Sequence, residues 1–153
     1  MVTTGSNNKP NDDYYTPPEV FEALGLRFDL DVSAPCGGVP WLPASRHYCI
    51  HDNGLAQPWK GNVWMNPPFS QSKLWVERFM EHAHGIALLP TSRARWFGNL
   101  WNDHRALFVH PTPDRCMFTF IHNNQRRNIY MPVVLVAYGN DNHQALERVG
   151  YTR

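Results

Sequence analysis

The chain has 153 residues, 42% of them hydrophobic and 18% charged, with six Trp, six Tyr and eight Phe. That length suits one domain with a sizeable core, and no apolar run is long enough to span a bilayer, so a soluble cytoplasmic protein is expected. A formal net charge of +1 excludes a uniformly basic nucleic-acid binder, so any contact with DNA must come from local patches.

Residues 1–12 are rich in Asn, Ser, Thr and Gly and lack an apolar signal core, which predicts a disordered start followed by one domain over 13–153. Tyr14, Tyr15, Thr16, Pro17, Pro18 and Glu19 then read as a helix start. Thr16 is the N-cap, Pro17 the first helical position, and Glu19 lies three residues after the cap. Val20, Phe21 and Leu24 supply an apolar stripe, and Gly25 stops the helix. Its N-terminal N–H groups and positive dipole end suit an anionic part of a ligand.

Residues 28–32 alternate apolar and acidic side chains as a strand does, then break into the loop Ser33, Ala34, Pro35, Cys36, Gly37, Gly38. In doubly wound sheets, ligands sit where such loops leave the carboxyl ends of strands, so Asp31 is a candidate contact. No GxGxxG fingerprint is present. From 39 to 57 Pro40, Pro43, Asn53 and Gly54 interrupt any period, and a loop with one short element is expected. Asp52 is there either to cap a turn or to accept from an amino group of a ligand. Residues 62–65 form the next strand.

Ser70 and Ser72 are N-cap candidates for a helix in which Leu74, Trp75, Val76, Phe79 and Met80 share a face predicted to be core, with Gly85 as its stop. Residues 86–90 are continuously apolar, as a buried parallel strand is. Thr91 or Ser92 opens a helix with Trp96, Phe97, Leu100 and Trp101 on one side. Strands follow at 105–109, 117–121 and 131–138, and a short helix at 145–149. This rhythm predicts a single-domain α/β fold with a mostly parallel sheet, helices on both faces, and last strands that pair antiparallel. The three cysteines, Cys36, Cys49 and Cys116, are odd in number and irregularly spaced, so reduced thiols are expected. Cys36, His47, Cys49 and His51 cluster without the paired short loops of structural zinc sites, and no metal is expected.

The most informative stretch is Asn66, Pro67, Pro68, Phe69, directly after the apolar run 63–65. An exocyclic base amine is a poor nucleophile because its lone pair is delocalised into the ring. Two acceptors that take both amino hydrogens localise that lone pair and disperse the charge that grows during transfer. The Asn66 side-chain oxygen is one such acceptor and the Pro67 carbonyl the other, stiffened because the residue before a proline is confined to extended backbone. Phe69 offers a flat face for a base taken out of its stack. Read without that chemistry, the same four residues are a turn after a strand.

A polar stretch, His122 to Asn128, separates two β-rich segments. Asn123, Asn124, Gln125, Arg126 and Arg127, with Arg115 in the preceding loop, are candidate DNA contacts that read base edges and grip phosphates. The alternative is a solvated hairpin tip.

In their order along the chain, Tyr15-Thr16-Pro17-Pro18-Glu19, residues 28–34, Asp52 with Gly54, Leu55 and Trp59, and residues 63–69 resemble the phage-type DNA N-6-adenine methyltransferases. The resemblance implies a Rossmann-like methyltransferase core using S-adenosylmethionine. It implies that Tyr15, Thr16, Pro17 and Pro18 line the methionine part of the cofactor with Asp31 and Ser33, that Asp52 lies toward its adenine, and that Asn66 to Phe69 form the catalytic loop, with Asn66 also touching the cofactor. Double-stranded DNA is the implied partner. The chain has little room for a separate target-recognition region, so specificity rests on short loops or on a protein partner. Other planar amines fit the same loop, namely cytosine, an RNA adenine or a protein glutamine, and a catalytically silent DNA-binding module is the reading from another class. Protection from restriction is one purpose such an enzyme serves, and no residue here singles it out.

Overall fold

The structure, a computed structural model, describes residues 14–110, 118–129, 132–149 and 151–152. The predicted disordered start at 1–12, the loop at 111–115 with Arg115, and the residues beginning the strands predicted at 117 and 131 lie outside the described residues. The chain order is α1 (Pro18–Leu24), β1 (Phe28–Asp31), β2 (Ala44–His47), β3 (Val63–Met65), α2 (Ser72–His82), β4 (Gly85–Pro90) and α3 (Arg95–Trp101). Then come β5 (Leu107–His110), β6 (Phe118–His122), β7 (Gln125–Ile129), β8 (Val133–Tyr138), α4 (Asn140–Glu147) and β9 (Tyr151–Thr152).

Seven strands form one sheet in the order β2-β1-β3-β4-β8-β5-β9. β1 pairs in parallel with β2 and β3, and β3 with β4. β8 runs antiparallel between β4 and β5, and β9 antiparallel beside β5. β1 to β5 therefore share one direction, and their carboxyl ends make one edge of the sheet.

The central strands are apolar on both sides because helices cover both sides. Leu30, Val63, Met65, Ala87 and Leu89 belong to one buried cluster with Trp75, Val76 and Phe79 of α2 and Leu100 of α3. Phe28, Trp64, Ile86 and Leu88 belong to the other, with Phe21 and Leu24 of α1 and Ala145 and Leu146 of α4. Strand periodicity thus splits one run of residues between two cores. A reciprocal amide pair ties the start of β3 to α4. Asn62 Nδ2 donates to Asn142 Oδ1 at 3.1 Å, Asn142 Nδ2 to Asn62 Oδ1 at 2.7 Å and to the Tyr138 carbonyl at 2.8 Å, all buried.

Several expectations are corrected. Thr16 is not the N-cap: Pro17 occupies that position with extended backbone, no capping box forms, and the Glu19 carboxylate instead forms a two-pronged ion pair with Arg126. The first turn of α1 is poor in donors, since Pro17 and Pro18 have no N–H and Val20 N–H is used by the Pro17 carbonyl. β2 was not predicted, because an edge strand of sequence Ala-Ser-Arg-His carries no apolar alternation. α2 ends on Ala83 in the left-handed conformation, which frees Gly85 to begin β4, where a Cβ would collide with the Val63 carbonyl. Leu74, expected to be core, is exposed at 56%. α4 begins five residues before the predicted start. The polar stretch after His122 is a loop only at Asn123 and Asn124, whose positive φ angles of 51° and 61° make the two-residue turn of a hairpin; Gln125, Arg126 and Arg127 lie on β7. Cys36 and Cys49 are joined as a disulfide, against the expectation of free thiols. Pairing of Ala34 N–H with the Tyr48 carbonyl at 2.9 Å brings the two segments together, which irregular spacing in sequence conceals. No helix among the described residues is long and apolar enough to cross a membrane.

Candidate active site

Asn66 leaves the carboxyl end of β3, flanked by the parallel strands β1 and β4. Its Nδ2 donates to the Tyr14 carbonyl at 2.9 Å, so the side chain is held by its donor end and Oδ1 is left as the acceptor. Pro67 and Pro68 are buried, and Pro68 is extended with φ −60° and ψ 119°. Phe69 is half-buried against the α1-side core and opens a 3-10 turn, Phe69–Gln71. Gln71 N–H donates to the Pro68 carbonyl at 2.9 Å and Ser72 Oγ to the Phe69 carbonyl at 2.8 Å, which pins the loop from behind.

Beside this loop lies a cleft with two lobes. The first encloses about 340 Å³ including its mouth, and its walls include Tyr14, Tyr15, Thr16, Asp31, Ser33 and Asn66. The second encloses about 600 Å³ on the same terms, walled by Ser33, Cys49, Asn53, Gly54, Pro68 and Trp75 among others. Ser33 borders both, so the lobes are adjacent.

The first lobe is electrostatically unusual. Asp31 is buried at the end of β1, and burial pushes its carboxyl up to about 7, opposed by a 3.3 Å hydrogen bond that Oδ1 accepts from Ser33 N–H. No cation pairs with it among the described residues. Thr16 Oγ1 and Ser33 Oγ are also buried there without a partner among the described residues, and Trp75 Nε1 is in the same condition at the second lobe. Buried polar groups are ordinarily satisfied, so a cluster of unsatisfied ones around a carboxylate marks a binding site. A ligand with an ammonium group for Asp31 and a carboxylate for the hydroxyls, as in the methionine end of S-adenosylmethionine, meets these needs. The second lobe has space and an indole donor for a nucleoside. Gly54 lets the turn that walls this lobe pack directly on the chain leaving β1: a Cβ there would collide with the Val32 carbonyl, and its own carbonyl accepts from Trp59 Nε1 at 2.8 Å.

Of the predicted cofactor residues, Tyr15, Thr16, Asp31, Ser33 and Asn66 come together in the first lobe. Pro17 and Pro18 instead start α1. Asp52 is exposed and caps a short turn, its Oδ2 accepting from Cys49 N–H at 2.8 Å. The predicted DNA contacts Asn123 to Arg127 all lie on the β6–β7 hairpin. That hairpin is joined to the site: Tyr15 and Ile121 exchange backbone hydrogen bonds at 2.8 and 2.9 Å, and the Tyr14 ring stacks on His122 at 4.5 Å. Tyr14 therefore touches both the hairpin and Asn66. Its role as an anchor was missed because it acts through a backbone carbonyl. Trp41 was missed as well; its Nε1 donates to the Thr16 carbonyl at 2.8 Å across 25 residues, a contact with no local signature.

No curated protein and no solved structure matches the chain. A family model described as DNA N-6-adenine-methyltransferase (Dam) matches residues 3–130, which takes in both lobes, the Asn66 loop and the hairpin. The chain therefore belongs to the DNA N-6-adenine-methyltransferase (Dam) family.

Proposed function

We propose that the chain transfers a methyl group from S-adenosylmethionine to the N6 amino group of adenine in double-stranded DNA, on a Rossmann-like methyltransferase fold. The observation that carries this reading is that Asn66, oriented by Tyr14, shares a wall with Asp31, Thr16 and Ser33. An amide suited to activating an amine thus stands next to a pocket suited to an amino-acid zwitterion.

Bound there, S-adenosylmethionine supplies an electrophilic methyl group on a sulfonium. Asp31 holds the ammonium of its methionine end, and Thr16 and Ser33 donate to the carboxylate. Asn66 Oδ1 and the Pro67 carbonyl accept the two hydrogens of the adenine amine, localise its lone pair and disperse the positive charge that grows on it. Phe69 gives the extruded base a surface to lie on. Positioning and charge stabilisation suffice, and no covalent enzyme intermediate is needed. On this reading Asn123, Asn124, Gln125 and Arg127 of the adjacent hairpin are the DNA-reading group, with Arg126 held by Glu19.

The test is incubation with methyl-labelled S-adenosylmethionine and unmodified duplex DNA, followed by digestion to nucleosides. Label in N6-methyl-2′-deoxyadenosine is expected. Label on cytosine, or failure of the protein to bind the cofactor, refutes the reading.

A further inference from the structure

We propose that the segment joining β4 to α3 is a second DNA-backbone contact, in which Arg93 and Arg95 bind phosphates at the sheet edge that carries the Asn66 loop. The proposal rests on the methyltransferase reading and deepens it.

Topology places the segment. β4 runs parallel to β3 with Met65 opposite Ala87, so the residues after Pro90 leave the same sheet edge as Asn66. Thr91 N–H and Oγ1 both donate to the Pro132 carbonyl, at 3.0 and 3.4 Å, and Ala94 N–H donates to Ser92 Oγ at 3.0 Å, which fixes the backbone that carries the arginines. The segment leads into α3 on one face of the sheet, whereas Phe120 of the hairpin packs into the core on the other.

Charge distribution agrees with this placement. Arg78, Arg105 and Arg126 are each spent on a carboxylate, Glu81, Asp103 and Glu19 respectively. Arg93 and Arg95 are exposed and have no such partner among the described residues. Lys73, exposed in the first turn of α2 directly after the catalytic loop, adds a third free cation at this edge. A protein of formal net charge +1 has little general attraction for DNA, so guanidinium groups without a carboxylate at the sheet edge that carries Asn66 carry weight. Their planar forks match phosphate oxygens in a two-pronged way.

The experiment compares an Arg93→Ala/Arg95→Ala double variant with the wild type and with an Arg27→Ala/Lys60→Ala control, whose residues precede β1 and β3 at the opposite edge. Duplex DNA affinity is measured across a salt series, together with cofactor affinity and kcat at saturating DNA. The first variant should bind duplex about tenfold more weakly, with a log–log salt slope smaller by about two, while cofactor affinity and kcat stay put. The control should match the wild type. Wild-type affinity and slope in the Arg93/Arg95 variant, or equal losses in the control, overturn the proposal while leaving the methyltransferase reading intact. A wild-type protein that neither binds duplex DNA nor methylates its adenine overturns both.

Discussion

Replacing Asp31 with asparagine should stabilise the protein and damage its cofactor site at the same time. In the folded chain the carboxyl is pushed up to about 7 by burial, against an ordinary value of 3.8 in the unfolded chain. The folded state therefore binds this proton more tightly than the unfolded state, and stability falls as pH rises from about 4 to about 7. An interval of about three pH units at about 1.4 kcal/mol per unit gives a ceiling of about 4 kcal/mol, fully expressed above pH 7. Asparagine is close in volume, carries no charge, and its Oδ1 can keep the bond from Ser33 N–H. Thermal unfolding without cofactor at pH 8 should thus rise by roughly 5–15 °C in the variant, and its stability should change less between pH 5 and 7. Cofactor affinity should fall about 10- to 100-fold, the usual worth of a lost bond to a charged group. In the wild type, affinity should grow from pH 5 toward 7 as Asp31 ionises. A variant no more stable than the wild type at pH 8 and equally steep in pH refutes the electrostatic account; unchanged cofactor affinity refutes the assignment of Asp31 to the ammonium.

Asn66→Ala should reduce methylation at least about 100-fold, as removing one stabilising group of this kind does, while calorimetry finds cofactor affinity near normal; substantial residual turnover argues against the amide as acceptor. Gly54→Ala should abolish the thermal upshift produced by the cofactor, because the added methyl meets the Val32 carbonyl; a retained upshift would place the nucleoside elsewhere. Asn142→Ala leaves the Asn62 amide buried and unpaired, and urea denaturation should show a loss of about 1–3 kcal/mol. Reduction of the Cys36–Cys49 bond, which spans 13 residues, should cost roughly 3 kcal/mol by the same assay, and an identical midpoint in reductant would refute that.

The features legible in sequence were those written locally. The continuous apolar run of β4 and the Asn66 loop announced themselves within a few residues, and the buried β1 end at Asp31 followed from its strand-then-glycine pattern. β2 was invisible because its partner β1, not its own side chains, makes it a strand. The face of α2 was misjudged at Leu74, since helical spacing shows which residues share a stripe and not how wide the covered stripe is. The most consequential omissions were relations across the chain. Glu19 looked like a capping residue and serves Arg126, 107 positions away, while Tyr14 holds Asn66 over 52 positions through a carbonyl that every residue possesses.

The hairpin occupies a particular place in the chain: it is spliced between β5 and β8, which are direct antiparallel neighbours with Val109 opposite Leu135. Its two roots are thus fastened side by side by the sheet, whatever is inserted between them. Closing a longer excursion from fixed roots costs only about 0.6 kcal/mol for each doubling of length. The hairpin can accordingly be lengthened or shortened at its tip with little effect on the seven-stranded sheet, provided that it still offers Tyr15 a strand to pair with and keeps Phe120 in the core. On the function proposed above, such a scaffold would change the sequence it reads by exchanging one insert, without rebuilding the Asn66 loop.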